Sequence, residues 1–351
     1  MAEKSPRYEK KRVPLHKFIP LKTPLALHID VSSICNFQCS FCANHSPAYT
    51  GNKQRKYEVM NYNLFTKIID DLNEFCSSIK SLRLYNIGEP LLNKRLPDMV
   101  YYAHKSGCVE IIDTTTNGSL LTPDISLALI DAGLDKICFS IESMTSQGYK
   151  DVANASVDFN TLVKNIAFFY EHSKQCHVHV KIINESVPTE EDQQAFYTLF
   201  ADKCHSMWID SVVNVWPDFN IPNATSGKNM YNERIIPLLV CPQPFYNLSV
   251  NPDGIVTHCD LDWRNEFIIG DLTRQSLKEI WDSDLVYYTQ LTHLKGERKN
   301  IGICAKCPWP DNGCIDNFDI HREAVLERFI NMNGCRGITD TFNKINNNGK
   351  V

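Results

Sequence analysis

Cysteine is the residue type in this sequence most able to do chemistry, because the chain holds 14 cysteines among 351 residues. Three of them, Cys35, Cys39 and Cys42, lie within the run CNFQCSFC. Six more occupy the last third of the chain, at Cys241, Cys259, Cys304, Cys307, Cys314 and Cys335. In a reducing compartment, clustered thiols indicate metal ligation or catalysis rather than disulfides. The spacing therefore predicts two separate cysteine-rich metal sites.

The composition indicates that compartment and argues against several classes of protein. The first residues are charged, and no run approaches the roughly 18 apolar residues of a membrane helix, so we expect a cytoplasmic protein without a membrane partner. The net charge of −5 argues against a nucleic-acid binder, and the aromatic content of 10% argues against disorder. The isolated cysteines stand among apolar residues and are expected to be buried: Cys76, Cys108, Cys138, Cys176 and Cys204.

The first cysteine cluster offers three thiolates, and that number decides its chemistry. A structural zinc site has four protein ligands, whereas a [4Fe–4S] cluster held by three thiolates keeps one iron open. Zinc with a distant fourth ligand such as His45 is the alternative. The spacing, with Phe41 directly before the third cysteine, resembles the signature of radical S-adenosylmethionine (SAM) enzymes. The resemblance implies that the open iron binds SAM, that one electron splits SAM to methionine and a 5′-deoxyadenosyl radical, and that Phe41 contacts the cofactor.

The resemblance also implies an α/β fold with a partial (β/α)6 barrel of the TIM type. Short β-branched or aromatic runs predict six strands, at 27–31, 81–86, 109–116, 136–141, 177–183 and 207–215. Apolar periodicity predicts helices between them, at 62–75, 95–105, 122–132, 161–173 and 189–203. Thr122-Pro123 is typical of a helix start, and the run from Thr189 to Asp192 resembles a capping box. Alternating strands and helices favour a parallel sheet.

Reactive groups of such barrels lie at the carboxyl ends of the strands, where the loops share one mouth. The resemblance places SAM contacts at these ends, on Gly88, Glu89, Pro90, Thr116, Asn117 and Ser140. Lys181 and Glu142 are candidate catalytic residues, and the choice of general base among them and other groups stays open. Asn214 and Trp216, after the sixth strand, are similarly placed.

The second cysteine site begins with a predicted hairpin that runs from Cys241 to Cys259 through a Pro-Asp-Gly turn. Alternating Tyr246, Leu248 and Val250 form its first arm, and a short helix is expected near 276–281. This segment resembles the SPASM/twitch extension of radical SAM enzymes. The resemblance implies an auxiliary [4Fe–4S] cluster held by four cysteines, with four-thiolate zinc as the alternative: Cys241, Cys259, Cys304 and Cys307. Cys335 and Cys314 are left over. A structural role is expected for them, with substitution for a ligand, or a redox-active thiol at Cys314, as the alternatives.

These segments predict a basic arm at 1–25, a radical SAM barrel at 26–220, a linker at 221–240, a small hairpin-plus-helix iron–sulfur domain at 241–335 and a tail at 336–351. The residues at 216–240 are expected to pass over the barrel mouth as a substrate-contacting loop. The basic arm is expected to be a solvated tail, with docking of a flavodoxin- or ferredoxin-type electron donor as the alternative.

The cysteine spacing looks like that of aminocyclitol dehydrogenases and sugar-pathway radical SAM proteins. We therefore expect oxidation of a hydroxylated carbon in a small sugar or cyclitol, with the auxiliary cluster as electron acceptor. Alternatives are an epimerase that uses Cys314 as hydrogen donor, a peptide-modifying enzyme, and a zinc-stabilised binding module. Only about 25 residues precede the first strand, which argues against the peptide-recognition domain common in peptide modifiers.

Overall fold

The computed structural model describes residues 1–7, 13–45, 55–222, 224–313 and 316–333. Its strands form one sheet in the order β1-β7-β6-β5-β4-β3-β2-β8-β9-β10. Their bounds are β1 Glu3–Lys4, β2 Ala26–Ile29, β3 Ser81–Arg83, β4 Ile112–Thr116, β5 Lys136–Ile141, β6 His177–Ile183, β7 Ser206–Asp210, β8 Asn247–Val250, β9 Ile255–Thr257 and β10 Ile268–Asp271. All pairs from β1 to β8 are parallel, and β9 and β10 are antiparallel additions. The predicted α/β barrel with six sequential parallel strands, β2 to β7, is confirmed.

Helices cover the connections between these strands. The barrel helices are α1 Tyr62–Asp71, α2 Leu96–Ser106, α3 Pro123–Asp131, α4 Ser146–Ala153, α5 Phe159–His172 and α6 Glu190–Phe200. The C-terminal helices are α7 Leu277–Trp281, α8 Asp284–Leu294, α9 Gly302–Lys306, α10 Trp309–Asn312 and α11 Arg322–Asn333. Thr122 caps α3 with Pro123 at its first turn, and Thr189 and Asp192 form the predicted capping box. Within the described residues, no helix has the length and apolar character needed to cross a membrane.

Several predicted bounds were wrong for local reasons. Helix α5 begins two residues early, because Asp158 accepts hydrogen bonds from the amides of Asn160 and Thr161. Strand β7 ends at Asp210 rather than at residue 215, where the chain turns into the linker. Helix α4 was not predicted, although Thr145 caps it.

The predicted hairpin joins the barrel sheet instead of forming a separate layer. Strand β8 pairs in parallel with β2, with Ala26 opposite Asn247 and Ile29 opposite Val250. The expected alternation of exposed and buried residues is therefore absent, and all four residues of β8 are buried. A strand covered on both faces loses the one-sided pattern of an edge hairpin.

The N-terminal arm is partly built into the barrel, which corrects the expectation of a solvated tail. Strand β1 pairs with β7, and the Lys4 ammonium lies 3.9 Å from the centre of the Tyr197 ring. The Arg7 guanidinium enters the barrel and contacts Asp113 and Thr115. Residues 8–12 of the arm and the tail at 336–351 lie outside the described residues.

The isolated cysteines divide into three groups by burial. Cys138, Cys176 and Cys204 are buried in the core as predicted. Cys108 is only partly buried. Cys76 is exposed, so its predicted burial was wrong: it follows the end of the first helical segment and lies 3.6 Å from the hydroxyl of Thr23 at the surface.

Candidate functional site

The three-cysteine loop leaves the carboxyl end of β2 and is held by backbone hydrogen bonds to two neighbours. The amides of Gln38 and Ser40 donate to the carbonyls of Ala153 and Val152 at the end of α4. The Glu89 amide donates to the Ile34 carbonyl at 2.8 Å. The loop that carries Cys35, Cys39 and Cys42 is thereby fixed between the segment that follows β3 and the end of α4.

Gly88 is required by this close approach. A Cβ at Gly88 would lie 1.9 Å from the carbonyl oxygen of Ser32 and 2.6 Å from that of Ile34. The missing side chain thus lets the Gly-Glu-Pro segment pack against the cysteine loop, whereas the sequence suggested close approach to a ligand. Pro90 is buried and opens a short 3-10 helix at Pro90–Leu92.

Glu89 links the ends of two strands with its buried carboxylate. Its oxygens accept hydrogen bonds from the Leu91 amide at 2.9 Å, the Thr116 hydroxyl at 2.6 Å and the Asn117 amide at 2.8 Å. Burial raises the pKa of Glu89 to about 7, although these three bonds act in the opposite direction. The hydrogen bond between Glu89 and Thr116 therefore holds the ends of two neighbouring strands together at the barrel rim. Their contact with SAM stays a prediction.

Asn117 connects this rim to the cysteine loop. The side-chain nitrogen Nδ2 of Asn117 donates to Oδ1 of Asn36 at 3.0 Å. The side-chain nitrogen Nδ2 of Asn36 donates to the hydroxyl oxygen of Ser119 at 2.9 Å. Ser119 in turn donates to Asn117 at 2.7 Å. The network fixes the residue that follows the first cysteine against the end of β4. Sequence analysis singled out Asn117 but missed Asn36.

The cysteine loop has acidic neighbours. Burial raises the pKa of Cys35 to about 12 and that of Cys42 to about 11, and it raises the pKa of Cys39 above its usual range. The charges of Glu142 and of the other two cysteines act in the same direction on Cys39. Such thiols need a bound cation to become thiolates. Phe41 is half-buried on the same loop.

Ser140 lies near the end of β5, and Glu142 follows directly after the strand. Burial raises the pKa of Glu142 to about 7, and Lys181 lowers it in part. Ser140 is half-buried and lies opposite Lys181 in the β5–β6 register. The structure therefore brings Glu142, Ser140 and Lys181 to one side of the barrel.

A cavity with about 1340 Å³ of empty volume fills the barrel between the strand ends and the C-terminal segments. Its charged side chains occur in close pairs. Lys181 Nζ lies 3.1 Å from Asp210 Oδ2, and Arg83 Nη1 lies 2.9 Å from His28 Nε2. Aromatic rings line the same cavity: Tyr85, Trp216, Tyr231, Tyr246 and Trp309.

The ion pair changes the expected chemistry of Lys181. Burial alone lowers the pKa of this ammonium, but the charges of Asp210 and Cys138 outweigh burial and hold the pKa above its usual range. Lys181 is therefore protonated near neutral pH and suited to donating hydrogen bonds. A role as general base, which the sequence left open, is not favoured by this environment.

A second cavity brings together the four cysteines predicted to hold the auxiliary cluster. Cys241, Cys259, Cys304 and Cys307 all line it, and its empty volume is about 540 Å³. Burial raises the pKa of Cys307 to about 11 and those of Cys259 and Cys304 above their usual range. Cys314, the fifth cysteine considered for this region, and Cys335 lie outside the described residues.

The donor sets fit iron–sulfur clusters in both places. In the described part of the chain, no group of three or more His, Cys, Asp or Glu side chains is arranged to hold a single metal ion. In a four-iron cubane each thiolate binds a different iron, so the sulfurs need not converge on one point. Four thiols around one cavity suit a fully ligated cluster, and three on one loop suit a cluster with an open iron.

Two residues of the second cavity were not predicted from the sequence. His293, near the end of α8, and Arg298 both line it. Arg298 Nη1 donates to the carbonyl oxygen of Cys304 at 2.7 Å, so a buried cation lies beside the cysteines. His258, directly before Cys259, lines this cavity too. Nothing in the sequence indicated that His293 lines this cavity, because it is not part of any cysteine motif.

The two cavities share part of their walls. Gln243, Leu261 and Trp309 line both the barrel cavity and the four-cysteine cavity. The start of the loop at 216–240 closes the same region, because Trp263 Nε1 donates to the carbonyl oxygen of Pro217 at 2.8 Å. A ligand in the barrel cavity is therefore separated from the auxiliary site by a single layer of side chains.

Comparison with known families supports both sites. The family model of the radical SAM superfamily matches residues 29–192, and that of the SPASM iron–sulfur cluster-binding domain matches residues 241–308. The matched segments contain all seven predicted ligand cysteines. The fold, the SAM-binding cluster with SAM, and an auxiliary iron–sulfur cluster are thereby shown.

Two curated relatives illustrate the range of these likenesses. A tungsten-containing aldehyde ferredoxin oxidoreductase cofactor-modifying protein of Pyrococcus furiosus is 33% identical over 117 residues, which is 33% of this chain and 30% of the relative. The chain thus spans about a third of the length of that relative. An Fe-coproporphyrin III synthase of Methanosarcina barkeri is 25% identical over an alignment 381 positions long, which covers 90% of this chain and 89% of the relative.

Solved structures share the fold at low sequence identity. BtrN in complex with AdoMet and 2-DOIA superposes with a TM-score of 0.55 at 17% identity, covering 84% of this chain and 97% of BtrN. Streptococcus suis SuiB bound to the precursor peptide SuiA gives a TM-score of 0.52 at 14% identity, covering 89% of this chain and 78% of SuiB. At such identities the likeness establishes the fold alone.

Proposed function

The chain belongs to the radical SAM superfamily and carries a SPASM domain, and on that basis we propose that it oxidises a hydroxylated carbon of a small sugar- or cyclitol-like substrate. The observation that carries the proposal is the wall shared by the barrel cavity and the four-cysteine cavity. It gives an electron from the substrate a short path to the auxiliary site. An enzyme that only moved a hydrogen atom would have no need of that path.

The lining of the barrel cavity suits a polyhydroxylated molecule. Paired charges such as Lys181 with Asp210 leave little net charge, yet they offer strong donors and acceptors to hydroxyl groups. Aromatic rings such as Trp216 and Tyr231 offer flat apolar surfaces to the C–H face of a ring. The empty volume of about 1340 Å³ is enough for a small sugar or cyclitol.

When bound, the two clusters with SAM supply the radical that removes a hydrogen atom and the acceptor that takes one electron. The substrate loses a hydrogen atom from carbon, a proton from the hydroxyl and one electron, which together leave a ketone. We assign the proton to Glu142, because burial raises the pKa of its carboxylate to about 7, near the working range of a general base. Lys181, held protonated by Asp210, donates to a substrate hydroxyl and orients the reacting carbon.

The test is anaerobic turnover of the reconstituted protein with SAM, a reductant and a panel of sugars and cyclitols. We expect one 5′-deoxyadenosine for each two-electron-oxidised product. The Glu142→Gln variant should lower the rate of oxidation while iron content and substrate-independent SAM cleavage persist. A product of unchanged oxidation state would overturn the proposal.

The alternative reactions give different products in the same assay. A radical epimerase places solvent deuterium on the product carbon, and its proposed hydrogen donor is Cys314. A peptide-modifying enzyme leaves the panel untouched and alters a ribosomal peptide instead, and the fold shared with SuiB makes a peptide panel the matched control. A zinc-stabilised binding module contains zinc without absorbance near 400 nm, whereas two four-iron clusters give about eight iron atoms per chain.

A further inference from the structure

The four-cysteine cavity contains two histidines whose ring nitrogens have no hydrogen-bond partner. His258 is 3% exposed and His293 is 1% exposed. Both line the cavity with the cysteines, and both Nδ1 and Nε2 of each ring lack a partner in the described residues. Buried polar groups are almost always hydrogen-bonded, so four orphaned nitrogens beside one cavity require an explanation.

Each histidine is positioned by the elements that build the cavity. His258 follows β9 and directly precedes Cys259, so one stretch of backbone sets both side chains. His293 is the penultimate residue of α8, a helix fixed to the hairpin by the bond from Gln290 Nε2 to the Pro244 carbonyl at 2.9 Å. The rings pack beside Phe267 and Phe245, with 6.5 Å between ring centres in each pair. These apolar neighbours offer the ring nitrogens nothing to bond.

We propose that His258 and His293 donate their ring N–H groups to sulfur atoms of the auxiliary cluster and thereby raise its reduction potential. Each neutral imidazole carries one N–H, and cluster and thiolate sulfurs are the acceptors that four-cysteine ligation would bring into this cavity. The role is one of positioning and tuning, because the four cysteines already complete the ligand set.

The direction of the effect follows from charge. Reduction adds one negative charge to the cluster, and donors stabilise the more negative state. The buried guanidinium of Arg298, bonded to the Cys304 carbonyl, acts in the same direction. The surroundings therefore favour accepting an electron. The link to substrate oxidation rests on the proposed function, whereas the potential itself does not.

The test uses the full-length chain carrying Cys35→Ala, Cys39→Ala and Cys42→Ala together, so that only the auxiliary cluster contributes a signal. In that background the midpoint potential is measured by a redox titration followed by electron paramagnetic resonance. His258→Phe and His293→Phe remove the N–H at similar ring volume, and His258→Gln and His293→Gln restore a donor. The matched control is His172→Phe, at the exposed end of α5.

We expect each phenylalanine variant to lower the midpoint potential and the double variant to lower it further, with iron near four atoms per chain. A tenfold change in the reduction equilibrium corresponds to about 59 mV for a one-electron couple. The glutamine variants should recover part of the shift, and His172→Phe should show none. Electron–nuclear double resonance of the parent should show exchangeable protons that each phenylalanine variant reduces in number.

Unchanged potentials with an intact cluster would overturn the proposal. Loss of iron in both the phenylalanine and the glutamine variant at one position would overturn it too, by showing that the histidine is a ligand. If a phenylalanine variant does not fold, the parent spectrum decides, because the absence of exchangeable-proton coupling contradicts the proposal. The expected potential shifts, combined with no substrate oxidation by the protein that keeps all its cysteines, would instead contradict the proposed reaction.

Discussion

The two cysteine sites are built in opposite ways. The first takes three thiols from eight consecutive residues, and its loop is fixed by backbone bonds to the segment that follows β3 and to the end of α4. The second takes four thiols from separate segments, around Cys241, around Cys259 and at the pair 304 and 307. Helix α8 and the start of the loop at 216–240 enclose them. A local loop can keep its shape without metal, whereas a site assembled from distant segments depends on its metal to stay together.

Removal of the first cluster should have the largest effect on activity. Cys39→Ala leaves a loop with two thiols, so we expect loss of about four of eight iron atoms and no detectable SAM cleavage. Iron analysis and the yield of 5′-deoxyadenosine measure this. Cys204→Ala, in the buried core, is the matched control and should retain both. SAM cleavage by Cys39→Ala would contradict the assignment of the open-iron cluster to this loop.

Removal of the second cluster should separate SAM cleavage from substrate oxidation. In Cys304→Ala with Cys307→Ala, we expect substrate-independent SAM cleavage to persist and oxidation to be lost. The melting temperature should fall further than in Cys39→Ala, because the missing cluster connects three segments of chain. Differential scanning calorimetry of both variants measures the difference. Equal losses would show that the two sites depend on metal to the same degree.

A smaller change tests how tightly the first loop is packed. Gly88→Ala places a Cβ where the Ser32 carbonyl oxygen lies at 1.9 Å, so the backbone must shift. We expect a loss of about 1–3 kcal/mol in the free energy of unfolding, measured in urea. Gly302→Ala is the control, since its Cβ would meet nothing within 4 Å. A neutral Gly88→Ala variant would show that the loop yields more readily than its contacts indicate.

A pH-dependent effect is expected from a buried histidine on β6, in the barrel. His179 is buried against the Ser206 hydroxyl at 2.8 Å, and burial, with Arg7 and Lys181 adding, lowers its pKa to about 3. Below about pH 6.5 the imidazole of His179 binds a proton in the unfolded chain but not in the folded chain. Its contribution to the free energy of unfolding is therefore complete above pH 6.5 and is lost progressively as the pH falls toward 3.

The slope from this one group is at most about 1.4 kcal/mol per pH unit. In His179→Asn we expect that part of the slope to vanish in urea unfolding between pH 4 and pH 7. His172→Asn, on the surface, should keep the slope of the parent protein. An unchanged slope in His179→Asn would place the acid sensitivity at another group.

The sequence predicted the local features of this molecule better than its long-range ones. The barrel strands and the caps at Thr122 and Thr189 follow from periodicity and side-chain hydrogen bonding to neighbouring amides. Helix α8 escaped prediction because it is buried on every side from Val286 to Leu294, so it has no amphipathic period. The pairing of β2 with β8 joins residues more than 200 positions apart, which no local pattern encodes.

The sites follow the same division. The seven cysteines predicted as ligands lie on one loop and around one cavity, as their clustering in the sequence and the family resemblance indicated, and their ligation stays a prediction. The entry of Arg7 into the barrel was missed, since a basic run gives the same signal whether it is solvated or paired with Asp113. The roles of Asn36 and His293 were not predicted, because each contacts residues that are far away in sequence: Asn36 bonds to Asn117, and His293 packs against Phe245.

The pairing of β2 with β8 also sets the order in which this protein can be completed during its synthesis. Until Val250 has left the ribosome, one edge of β2 has no neighbour, and the barrel stays open beside the three-cysteine loop. Closing that edge requires the hairpin that leads to Cys259. The three-cysteine loop is therefore synthesised well before the strand that closes the barrel beside it.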